Sequence, residues 1–135
     1  MKEIEIQATI ENLPKVMEFI DVELEALECS MKVQTLIDIS VEELFVNIAN
    51  YAYGDKEGKA IITFSAMEEP KGVEISLKDC GMFYDPLAKE DPDITLSAEE
   101  RQIGGLGIFM VKKNMDEVNY EYKDGWNITT IYKKL

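Results

Sequence analysis

Three groups of residues in this 135-residue chain are candidates for catalysis or binding. Glu43, Asn47 and Asn50 lie in VEELFVNIANYAYG at spacings i, i+4 and i+7, which stacks them on one face of a helix. The segment around them is largely apolar, and polar groups buried without partners cost about 1–3 kcal/mol each. The stripe is therefore either a solvated face or the lining of a site. In a site, an amide oxygen is a ligand for a hard cation, and a carboxylate one turn earlier accepts a proton from a hydroxyl or orients water. Spacing alone leaves both open.

The second group is Asp79-Cys80-Gly81, at the end of the strand pattern ISLKD. Asp two residues before Gly is a turn signal that needs no further role. The same Asp can accept a hydrogen bond from an exocyclic amine such as that of adenine, while Gly81 lets backbone pass close beneath a ring. The third group is Gly104, Gly105 and Gly107 in IGGLGIFMVKKNMDEV, directly before a helical pattern. Glycines there serve a tight turn, or they bring backbone N–H groups against an anion at a helix N-terminus. Neither common phosphate fingerprint is present. No Gly-Lys-Ser/Thr follows, and a charged segment, not a strand, comes first.

Composition narrows the chemistry. The chain has no histidine, which removes Ser-His-Asp and Cys-His catalysis and any phosphorylated histidine on this chain. Cys29 and Cys80 fit no metal spacing and are expected as reduced thiols. The net charge of −13, from 14 basic and 27 acidic residues, argues against direct nucleic-acid binding. No apolar run spans a membrane, and MKEIEIQATI lacks the core of a signal peptide, so a cytoplasmic protein is expected.

The positioning elements follow from periodicity. Residues 2–10 alternate as a half-buried strand, and Asn12 is placed to cap an amphipathic helix over 13–28. A second, more buried helix covers about 33–53, with Gly54 as its stop. GKAIITFSAM and KGVEISLKD are strands around a turn. Residues 82–103 show no sustained period, and structureless segments of that length are usually functional lids or disordered. A helix over about 107–116 and a hairpin around Asp124-Gly125 close the chain. The order β-α-α-β-β-lid-α-β-β predicts a single α+β domain over 1–135, a sheet covered on one face by helices.

In this order, EELFVNIANYAYG, DCGMFYDP, GGLGIFMVKKNMDEV and DGWNITTIY resemble the GHKL, or Bergerat, ATP-binding fold. More closely, they resemble the small bacterial anti-sigma-factor serine kinases, over nearly the whole chain. The resemblance implies a two-layer sandwich of a mixed sheet and helices, binding ATP and Mg²⁺. It implies Glu43 as general base and Asn47 as the Mg²⁺ ligand bridging the triphosphate. Asp79 is then the reader of the adenine amino group, with Gly81 beneath the base and Thr130 supporting Asp79. Gly105 and Gly107 are implied to face the phosphates, and Arg101 is a candidate phosphate contact. The implied partners are an anti-anti-sigma (STAS-type) protein whose serine is phosphorylated, a sigma factor, and a second copy of the chain. Tyr51, where many relatives have histidine, and Phe83, where a second glycine is usual, depart from the pattern. They keep a nucleotide-gated binding module without transfer as the alternative.

Overall fold

A computed structural model describes residues 1–68, 70–87 and 105–135. Strand β1 (Lys2–Gln7) turns Ile4 and Ile6 inward, and a short 3₁₀ turn, Ile10–Asn12, leads into helix α1 (Leu13–Ala26). Pro14 sits in the first turn of α1, where its missing N–H has no helical acceptor to lose. Asn12 does not cap the helix. Its side chain instead donates to Gln7 O at 2.9 Å and tethers the strand end. Val16, Ile20 and Leu24, spaced by four, are fully buried, and the chain leaves the helix through Glu28 at φ +56°.

Helix α2 (Met31–Asn47) starts two residues earlier than the apolar period implies, because Ser30 accepts the Val33 N–H at 3.2 Å as its N-cap. Ile37, Val41, Leu44 and Phe45 face the core. The helix then widens into one π turn, Ile48–Ala52, and stops at Gly54, which takes φ +60°. Strands β2 (Lys59–Glu68) and β3 (Lys71–Asp79) form a hairpin. Helix α3 (Gly105–Asn114) precedes β4 (Glu117–Lys123) and β5 (Trp126–Lys134). Asp124 and Gly125, at φ +54° and +84°, make the two-residue turn between them.

The sheet order is β1-β2-β3-β5-β4, and all four pairings are antiparallel. The two-layer α+β arrangement is the one expected, but the expected mixed sheet is corrected. The closing hairpin brings β5, not β4, against β3, so the strand that follows the crossover helix is parallel to β3 but one position removed from it. The core lies between the helices and one sheet face, where Val16, Ile20, Ile37, Val41, Phe45 and Val111 meet Ile62, Val73, Ile75, Leu77 and Ile131. Each such side chain stabilises the fold by about 1.5–3 kcal/mol through burial. No helix among the described residues is long and apolar enough to cross a membrane.

Candidate functional site

The π turn carries the C-terminal end of α2 over the end of β3, and a cavity lies between them. Asn47, Tyr51 and Ala52 line it from α2 and the turn, Asp79 from β3, and Asn127 and Thr129 from β5. Met82, Tyr84 and Pro86 of the segment after β3 also line it. The cavity's volume is about 40 Å³, room for a few waters, and the exposed Tyr51 and Tyr84 stand in its wall.

Asp79 is 6 % exposed and is held by two donors on the same oxygen. Oδ1 accepts the Gly81 N–H at 2.9 Å and Asn127 Nδ2 at 3.0 Å. Burial raises its pKa above the ordinary carboxylate value, and the two hydrogen bonds pull in the opposite direction. Gly81 is glycine for a steric reason. A Cβ there would stand 2.1 Å from Ala52 O, a backbone atom fixed by the Met82 N–H at 2.8 Å. Tyr53 ties the neighbouring strand ends, accepting the Cys80 N–H at 2.8 Å and donating to Lys59 O.

Glu43 does not line this cavity among the described residues. It sits one turn earlier on α2, against the first turn of α3, so closely that a Cβ on Gly107 would fall 1.8 Å from Glu43 Oε1. Burial, and then the charge of Glu42, raise the Glu43 pKa. A carboxyl raised toward neutrality is better matched to proton transfer at physiological pH than an ordinary one. Gly105 opens α3, whose first N–H groups have no helical acceptors.

The structure thus puts Asn47 and Asp79 on one cavity, ties Gly81 to Asp79 and packs it against Ala52, and brings Gly107 up against Glu43, one turn earlier on α2. Asn50 is exposed, because the π turn takes it out of the stripe. Thr130 is not placed with Asp79. It pairs with Ser76, whereas Asp79 pairs with Asn127, and side chains alternate, so Thr130 lies on the sheet face opposite the helices. Thr129 and Asn127, on the helix face, are the residues that sequence reasoning missed. Arg101 lies outside the described residues.

No group of three or more His, Cys, Asp or Glu side chains among the described residues could hold a metal ion. The Asn47 amide in the cavity wall fits Mg²⁺ nonetheless, since that ion commonly takes one or two protein oxygens and draws the rest of its shell from phosphates and water.

Comparison with known proteins bears on the family and the fold. The histidine kinase-like ATPase domain family matches residues 6–133. The chain is 26 % identical over 102 residues to serine/threonine-protein kinase BtrW of Bordetella bronchiseptica, covering 76 % of this chain and 71 % of that protein. It is 27 % identical over 97 residues to serine-protein kinase RsbW of Listeria monocytogenes, covering 68 % of this chain and 60 % of the relative. The crystal structure of the RsbU and RsbW domains of Rv1364c from Mycobacterium tuberculosis superposes with a TM-score of 0.70 at 14 % identity. That match covers all of this chain and 33 % of the other. At that identity the likeness shows the fold.

Proposed function

Because the chain belongs to the histidine kinase-like ATPase domain family, we propose that it binds Mg-ATP and transfers the γ-phosphoryl group to a serine of an anti-anti-sigma, STAS-type partner. The observation that carries this is the placement of the buried Asp79 carboxyl and the Asn47 amide on one cavity, with Glu43 one turn earlier on α2, against the start of α3. Asp79 Oδ2, which takes no hydrogen bond among the described residues, accepts the adenine 6-amino group. Gly81 brings backbone close beneath the base. Asn47 holds Mg²⁺, which when bound neutralises phosphate charge. The N–H groups at the start of α3, from Gly105 to Gly107, face the phosphates, where the helix dipole favours negative charge. Glu43 takes the proton of the incoming serine hydroxyl. Catalysis of this kind rests on positioning and charge stabilisation more than on covalent chemistry by the protein.

The kinase names of BtrW and RsbW support the transfer step, and the sigma-factor role and a homodimer belong to the same proposal. The test is an ATP and ADP titration with and without Mg²⁺, followed by transfer from labelled ATP to candidate STAS-type proteins. Asp79→Asn is expected to weaken ATP binding at least tenfold, because an amide N–H can face the 6-amino group where only an acceptor serves. Glu43→Gln is expected to keep ATP affinity within about threefold and to lower transfer by 10²–10⁴. Unchanged ATP affinity in Asp79→Asn overturns the adenine assignment. Tight binding without any phosphoserine assigns a nucleotide-gated binding module instead.

A further inference from the structure

Asn127 is buried, and its amide uses every hydrogen-bonding position it has. Nδ2 donates to Asp79 Oδ1 at 3.0 Å and to Met82 O at 2.9 Å. Oδ1 accepts the Tyr84 N–H at 3.2 Å and the Tyr120 hydroxyl. The reverse orientation of the amide would set its oxygen against a carboxylate and a carbonyl, and its NH₂ against an N–H. The bonding pattern therefore fixes which atom is which. One side chain joins the end of β3, the segment after it, and the edge strand β4.

We propose that Asn127 is the positioning residue that makes the cavity selective for a purine carrying a 6-amino group. This rests on the nucleotide reading above. Asn127 and the Gly81 N–H together occupy Oδ1, so the Asp79 carboxyl cannot rotate, and Oδ2 is the oxygen left for a ligand. Burial is the larger effect and raises the Asp79 pKa, while the two donors oppose it, so loss of the Asn127 bond favours the acid further. With Oδ1 held by two donors, the carboxylate form of Asp79 presents Oδ2 as an acceptor, which suits a 6-amino group and repels a 6-oxo group. A protonated Asp79 would donate to the 6-oxo group and lose that distinction. Asn127 has no hydrogen-bonding position left for the base, so it acts through Asp79 alone. Through Met82 O and Tyr84 N it also sets the wall of the cavity, and through Tyr120 it makes β4 part of the same assembly.

The test compares affinities for ATP and for inosine 5′-triphosphate, whose base carries a 6-oxo group, in the parent chain, Asn127→Leu and Tyr120→Phe. The parent is expected to prefer ATP. Asn127→Leu is expected to lower the ATP-to-inosine-triphosphate preference about tenfold or more, chiefly by weakening ATP. Tyr120→Phe, which removes one of the four bonds at an edge strand, is expected to lower it by a smaller factor. A merely structural role would weaken both nucleotides alike and leave the ratio unmoved. An unchanged ratio in a folded Asn127→Leu overturns the proposal, and if that variant does not fold, an unchanged ratio in Tyr120→Phe does so. A parent chain that binds neither nucleotide overturns the nucleotide reading itself, and one that binds both equally overturns the adenine assignment; both results are seen without any variant.

Discussion

At Gly107 a single methyl group bears on the chemistry directly. The space a Cβ would need is already filled by the Glu43 carboxyl, with Oε1 at 1.8 Å and Cδ at 2.1 Å. The Glu43 side chain can swing away, so Gly107→Ala is expected to fold, and alanine's helix propensity offsets the contact by up to about 1 kcal/mol. The displaced carboxyl is then expected to lower phosphoryl transfer about 10²-fold, the usual cost of an ångström-scale misplacement. Single-turnover transfer beside a thermal melt checks both halves, and an equal loss of stability and transfer would refute the argument. The glycines were visible in the sequence as a turn after a strand and a break before a helix, but the atom each one makes room for was not. Gly81 yields to a backbone carbonyl and Gly107 to a side chain 64 positions away in sequence, neither of which periodicity reports. The Thr130 expectation failed for a related reason. Ile128 and Ile131 are an odd number apart, so WNITTIYKK admits two alternation phases, and only the register with β3 selects the one that turns Asn127 and Thr129 to the helices.

The α1–α2 pair contains a polar contact that the period of its apolar residues hides. Asp38 of α2 faces Asp21 of α1, which also accepts from Gln34 Nε2 at 3.2 Å. Asp38 Oδ1 is buried with no hydrogen-bond partner among the described residues. Burial first, then the hydrogen bond with Asp21 and the charges of Asp21, Glu25 and Glu42, push the Asp38 pKa up to about 7. A carboxyl with a higher pKa in the folded state binds its proton more tightly there than in the unfolded chain. Stability from this group is therefore greatest below its ordinary pKa near 3.8 and falls as pH rises toward 7. Asp38→Asn is expected to be more stable than the parent at pH 8 by about 1 kcal/mol, a figure discounted for solvent screening of a partly exposed side chain. Melts across pH 4–8 should show a flatter slope in the variant, and a slope equal to the parent's would place the titration elsewhere. Elements with a clear apolar period, such as α1, were legible nearly to their ends. The π turn was not, since one extra residue in a turn leaves no mark on residue types, yet it removes Asn50 from the stripe and aims Ala52 at the site.

Across the whole molecule, element order was legible because hairpins and helices differ in period, whereas the sheet's parallel or antiparallel character depended on which strand of the last hairpin sits inside. That choice puts β5 inside the sheet beside β3, where Ile131 is fully buried and Asn127 reaches Asp79, and leaves β4 at the edge. The site is consequently assembled from parts far apart in the chain, 43, 47, 79, 107 and 127, and exists only once the sheet is closed. The Tyr53 hydroxyl, which joins the first residue of β2 to the first residue past β3, gives that closure an observable of its own. The Cys80 amide proton lies beyond the strand ladder on an exposed residue, where exchange with solvent deuterium would ordinarily be fast. Held by Tyr53, it is expected to exchange at least about tenfold more slowly than in Tyr53→Phe, and equal rates would show the hydroxyl contact to be idle. One amide signal thus becomes a clock for how often the end of the sheet beneath Asp79 comes apart.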